Sequence, residues 1–181
     1  MICCLQRLFK EDKMNSLLNA SEIVEFALYI EQQGYQFYVQ SAKKLNDPKL
    51  LDLFNILAEE ELKHEQIFKR LQTEVGFFIP EESYEGEYQA YMKEYLKTIT
   101  PTTNEKMIQL VKNVNTVEDA IEMALGFEKD SVFFYSLIIN YVNGENKKTV
   151  ENIIQEEIRH ALRLNNYKAN YTAELPDIDA L

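Results

Sequence analysis

Apolar residues recur at intervals of three and four through most of the chain, the spacing of one face of a helix. Ile23, Phe26, Ala27, Ile30, Gly34, Phe37 and Tyr38 trace such a face. They predict a helix over Glu22–Lys44 with Ser21 as its N-cap. Asn46-Asp47-Pro48 ends it and starts a second helix: Asp47 can cap, and Pro48 suits a first turn. This helix runs to about Glu74 and stops at Gly76. A third begins after Thr116, where Thr116-Val117-Glu118-Asp119 resembles a capping box with Asp in the last place. It continues to about Val142 and ends at Asn143-Gly144. A fourth covers Lys147–Tyr171, and Pro176 closes the ordered part.

The stretch Phe77–Asn115 is too long for a structureless loop in a compact domain. It predicts short helices at Glu81–Lys97 and Asn104–Lys112, parted by Thr100-Pro101. Tyr84, Tyr88, Tyr91 and Tyr95 fall on one face of the first of these, which suits core packing and a partner interface about equally. A hairpin, a long crossover and a second hairpin define an all-α, ferritin-like four-helix bundle with one long crossover containing short extra helices. Residues 1–20 read as a flexible extension, with Met14 as an alternative start. Residues 21–172 form the bundle, with its crossover at 77–115, and 173–181 are a tail.

Composition narrows the function classes. Glycine (5) and proline (4) are scarce in the 181 residues, as expected of a helical chain. A net charge of −11 argues against nucleic-acid binding, which needs a basic surface. No segment approaches the roughly 20 apolar residues of a membrane span. Cys3 and Cys4 are the only cysteines, adjacent and without a CxxC pair. They read as free thiols in a reducing compartment, so the expected location is the cytoplasm.

The chemistry lies in the two histidines. Each follows a glutamate by three residues, in Glu61-Leu62-Lys63-His64 and Glu157-Ile158-Arg159-His160. Residues three apart share a helix face, so each pair offers a carboxylate and an imidazole to one point. The two hairpins also repeat: Glu31 matches Glu128 and Tyr38 matches Tyr135, each pair reading Glu, six residues, Tyr. All four glutamates sit on apolar stripes that carry no Lys or Arg. A lone buried carboxylate is very unfavourable, so a metal is the better partner. Four carboxylates and two neutral imidazoles balance two divalent ions, and such a donor set suits iron or manganese more than zinc. Glu61 and Glu157 are placed to bridge both ions, with Glu31 and Glu128 each capping one beside one histidine.

Together, Ala27–Tyr38, Leu57–Glu65, Ala124–Ser131 and Glu156–His160 make the chain resemble the rubrerythrin family of the ferritin-like superfamily. The resemblance covers about Ser21–Tyr171. It implies a di-iron centre on Glu31, Glu61, His64, Glu128, Glu157 and His160, with Mn or a mixed Fe/Mn pair as alternatives. It gives Tyr38 and Tyr135 the role of hydrogen-bond donors to the ligands. It implies reduction of peroxide or dioxygen with oxidation of ferrous iron, and a likeness to proteins that commonly form homodimers. Rubrerythrins proper carry a rubredoxin-like centre of paired CxxC motifs; here the electrons are expected from a separate rubredoxin-like or flavoprotein donor. Peroxide-reducing members also place a glutamate three residues after the position of Glu128, where this chain has Ser131. The alternative reading is iron storage or delivery without turnover.

Overall fold

The computed structural model describes residues 20–74, 104–139, 142 and 144–174. Five helices are described: α1 (Ala20–Leu45), α2 (Pro48–Glu74), α3 (Asn104–Asn113), α4 (Val117–Ile138) and α5 (Gly144–Glu174). Helix α1 packs along α2, and α4 along α5, as two hairpins. The hairpins meet chiefly through α1 and α4, and α3 lies against α1.

Local chemistry accounts for the ends. Asn46 takes a left-handed φ of 52° that turns the chain out of α1, a conformation Asn tolerates better than most residues. Its N–H still bonds the Ala42 carbonyl at 3.0 Å. The Asp47 carboxylate then accepts from the Leu50 N–H at 2.8 Å and caps α2. Thr116 accepts from the Asp119 N–H at 3.0 Å while the Asp119 carboxylate accepts from the Thr116 N–H at 3.0 Å, completing the capping box of α4. Lys44 donates to the Val111 and Lys112 carbonyls at 3.1 and 2.8 Å, fastening the C-terminal turn of α3 to the end of α1.

Four predicted boundaries shift. Helix α1 already includes Ala20, so Ser21 lies inside the first turn and is not its N-cap. Helix α4 ends at Ile138, four residues before the expected Val142, whose N–H instead bonds the Ile139 carbonyl at 3.4 Å. Gly144 does not end α4. It opens α5 at a φ of +54°, a left-handed value that costs glycine nothing. The connection therefore lies earlier in the chain than expected, and α5 starts before Lys147 and runs past Tyr171. The predicted helix at Glu81–Lys97 and its four tyrosines lie outside the described residues.

Two apolar clusters fill the bundle. One gathers Val24, Ala27, Ile30, Phe68, Leu71, Phe134, Ile138, Val150 and Ile153. The other gathers Phe37, Leu50, Phe54, Leu57, Val117, Ile121, Ala124, Leu125 and Leu164. On every one of the four long helices, a buried glutamate stands between the stretch that feeds one cluster and the stretch that feeds the other.

Gly126 sits mid-helix on the exposed side of α4, with open space where a Cβ would go. Gly126→Ala is expected to stabilise the metal-free protein by about 1 kcal/mol through helix propensity alone. Urea unfolding measures this; an unchanged or lower midpoint contradicts it.

Candidate metal centre

Glu31 comes from α1, Glu61 and His64 from α2, Glu128 from α4, and Glu157 and His160 from α5. All six are at most 4% exposed. They form two groups, Glu31, Glu61, His64, Glu157 and Glu61, Glu128, Glu157, His160, and within each the donor atoms lie within 4.8 Å of one another. The groups share Glu61 and Glu157, so two glutamates face both points, while each point has its own histidine and its own terminal glutamate.

Both histidines turn Nδ1 inward. His64 Nδ1 lies 2.8 Å from Glu157 Oε1 and 3.5 Å from Glu31 Oε2. His160 Nδ1 lies 3.2 Å from Glu157 Oε2, 3.4 Å from Glu128 Oε2 and 3.6 Å from Glu61 Oε1. The rings stack with centroids 5.6 Å apart. Among the described residues, seven buried side-chain polar atoms have no hydrogen-bond partner. Five are here, within ion-pairing distance of one another but without hydrogen-bond geometry: Glu31 Oε2, both Glu157 oxygens and the two Nδ1 atoms. Buried polar atoms without partners are costly. Their convergence on two points, in an oxygen-rich set with one imidazole each, fits two divalent ions.

The outer edges of the site are tied crosswise. The Tyr38 hydroxyl of α1 donates to Glu128 of α4, and the Tyr135 hydroxyl of α4 donates to Glu31 of α1. Each hairpin thus supplies the phenol that orients the other's terminal glutamate. The outward Nε2 atoms are held in the same crossed way. His64 Nε2 meets Glu156 Oε2 at 2.8 Å, and His160 Nε2 meets Glu60 Oε2 at 3.0 Å. Arg163 donates to Glu60 at 2.6 Å, and Arg159 pairs with Glu156 at 3.3 Å. A carboxylate on the far nitrogen fixes which imidazole nitrogen faces a metal and makes it more basic. Sequence reasoning missed Glu60 and Glu156. The available signal was a second glutamate directly before each ligand-spaced one, in Glu60-Glu61 and Glu156-Glu157. Glu60→Ala or Glu156→Ala is expected to weaken metal binding by about 10- to 100-fold without unfolding the bundle. Titration with Mn(II) measures it, and an unchanged affinity counts against the bracing role.

The electrostatics follow from four carboxylates in a dry interior. Burial, then the charges of Glu61 and Glu157, pushes the Glu31 carboxyl well above the ordinary 4.5. Burial and Glu157 do the same to Glu128. Burial opposes charge on His64, but Glu157 and Glu31 outweigh it and push the imidazole up to about 12. His160 is likewise raised against its burial, by Glu128, Glu157 and Glu61. Glu157 also resists the effect of burial and stays below the usual carboxylate range, because both histidines face it. Burial and the adjacent carboxylates raise both tyrosines well above 10, so their hydroxyls keep their protons and donate.

Fold and site together define a ferritin-like helical bundle with a carboxylate-rich candidate site for two metal ions. The rubrerythrin family profile matches residues 22–168, and the chain belongs to that family. Its fold is similar to that of a Thermotoga maritima protein described as a ferritin-like diiron-carboxylate protein. The two are 21% identical, with a TM-score of 0.63 over 86% of this chain and 97% of the other. No curated protein matches the chain. Among the described residues, no helix is long and apolar enough to cross a membrane.

Proposed function

We propose that this protein is a non-haem di-iron oxidoreductase that reduces peroxide or dioxygen at the expense of an external electron donor. The observation that carries the reading is the shared-edge donor set, with five buried atoms that make no hydrogen bond and converge on two points. Glu31, Glu61, His64, Glu128, Glu157 and His160 would hold the two ions. Bound redox-active ions supply the electron pair and the Lewis acidity that reduction of an O–O bond requires. The chain supplies the rest. Glu61 and Glu157 hold the two points together, and Glu60 and Glu156 fix the imidazoles. Tyr38 and Tyr135 steady the terminal carboxylates with neutral hydroxyls, and the apolar clusters on either side limit access of water.

Ser131 stands where peroxide-reducing relatives place a further carboxylate, and its hydroxyl is a poor substitute ligand. This favours a donor set limited to the four glutamates and two histidines. Iron is the proposed metal, with manganese or a mixed pair able to occupy the same oxygen-rich set. In the same reading the donor is a rubredoxin-like or flavin protein, the protein is cytoplasmic, and it pairs with a second copy.

The test is anaerobic loading with ferrous iron, followed by mixing with peroxide or oxygen. The expected result is an absorbance rise from ferric iron within seconds to minutes, and renewed oxidant consumption after re-reduction. Iron that binds but stays ferrous for hours sinks the proposal. Oxidation followed by accumulation beyond two ions per chain transfers the protein to iron storage.

A further inference from the structure

We propose that Gly34 is a positioning residue for the bridging carboxylate of Glu61, and that its missing side chain permits two ions to be held together. Gly34 is buried in the middle of α1, one turn beyond Glu31. Glycine there weakens a helix relative to alanine, so a second reason for its presence is required. The reason is contact. A Cβ at this position would lie 3.3 Å from both Cδ and Oε2 of Glu61 and 3.5 Å from its Cγ. That is closer than side chains ordinarily pack, and the neighbour that would have to yield is a carboxylate shared by both donor groups. Glu61 is itself buried and cannot swing into solvent. A Cβ here would therefore require a shift of a few tenths of an ångström in a carboxylate that both donor groups share.

The repeat sharpens the argument. The residue three after Glu31 is Gly34, whereas the residue three after Glu128 is Ser131, a buried side chain with a Cβ. The two halves therefore differ at this position, and in the first half the missing Cβ faces a shared carboxylate. Glu157 lies 2.8 and 3.2 Å from the two inward nitrogens, while Glu61 comes only within 3.6 Å of one. Glu61 is thus the shared carboxylate that lies farther from the inward nitrogens, and the one that meets Gly34.

The inference rests on the dinuclear reading, and the test separates the two. Gly34→Ala, Glu61→Ala and the double variant are compared with wild type, with Gly126→Ala as a control for helix propensity. Two readouts are taken: thermal unfolding of the metal-free proteins, and calorimetric titration with Mn(II). Gly34→Ala is expected to bind a first ion within about threefold of wild type and a second at least about tenfold more weakly. Without metal, Gly34→Ala should raise the Tm by a few degrees in the Glu61→Ala background, as Gly126→Ala does in wild type. It should raise it less, or lower it, when Glu61 is present. Wild-type binding of both ions, together with an equal Tm shift in the two backgrounds, overturns the inference. Should Gly34→Ala fail to fold, folding restored by Glu61→Ala supports the contact, and failure in both backgrounds overturns it. Wild-type protein that never holds two ions removes the dinuclear reading; the Tm comparison then still decides whether Gly34 makes room for Glu61.

Discussion

Glu157→Gln is expected to cut metal binding from two ions to at most one, with a loss of at least about 100-fold in affinity for each. Glu157 belongs to both donor groups, and both its oxygens are buried without a hydrogen-bond partner. Glutamine keeps the shape, but it removes the charge and turns one of the two acceptors into a donor. It can no longer serve two ions at once. Replacing a residue one layer out from a metal costs about 10- to 100-fold, so loss of a shared ligand should exceed that. The metal-free protein should suffer too. Glu157 is the anion that His64 and His160 both face, and removing one partner of a buried charged set costs about 3–5 kcal/mol. Metal content after dialysis, Mn(II) titration and urea unfolding together measure these effects. Retention of two ions at near wild-type affinity would mean that Glu157 is not the bridge.

Metal loading itself should produce the largest change in stability. Ligand at a hundredfold excess over its Kd contributes about 2.7 kcal/mol per site. Two sites in a chain of this size should raise Tm by on the order of 10 °C or more, at about 2–4 °C per kcal/mol. The effect has a definite pH sign. Without metal, the raised values of Glu31, Glu128, His64 and His160 mean that the folded site holds protons more tightly than the unfolded chain. Their contribution is fully present below the ordinary values near 4.5 and 6.5 and is lost as pH rises through the raised ones. Glu157 has the opposite sign: its contribution is present above 4.5 and is lost as pH falls through its lowered value. An entering ion must displace the site's protons, so affinity and the metal-induced Tm shift should both grow from about pH 6 to about pH 8, with protons released on binding. Calorimetry in buffers of different ionisation enthalpy counts those protons. A Tm shift independent of pH would contradict this picture.

Much of this site is legible in the sequence alone. Glu61 and His64, like Glu157 and His160, are fixed by a three-residue spacing that only a helix turns into a shared point. Glu31 and Glu128 follow from the repeated Glu, six residues, Tyr pattern. The caps at Asp47 and Thr116 are local chemistry and are equally visible. What the sequence hides depends on distance between elements. That Tyr38 reaches Glu128 rather than the nearer-in-sequence Glu31 is set by how α1 lies on α4. Glu60 and Glu156 sit one residue from a buried position, about 100° round the helix, where a glutamate normally marks a solvated face. Only the packing of α2 beside α5 turns them toward a histidine. Gly34 leaves no pattern because its contribution is empty space. The end of α4 is hidden because apolar periodicity continues through Ile139 into Val142, although the helix has already turned.

The polar layer between the two apolar clusters also sets the alignment of the helices. Hydrophobic side chains of similar size let neighbouring helices slide, because one apolar contact substitutes for another at little cost. Here every long helix carries its carboxylate at mid-length. Slipping one helix by a single turn, about 5.4 Å, would drive a glutamate into a hydrocarbon layer and leave the other groups facing a gap. The cluster that costs the most to bury is thus also the ruler against which the four helices are measured, and the bundle has one register because only one puts all six groups at the same height.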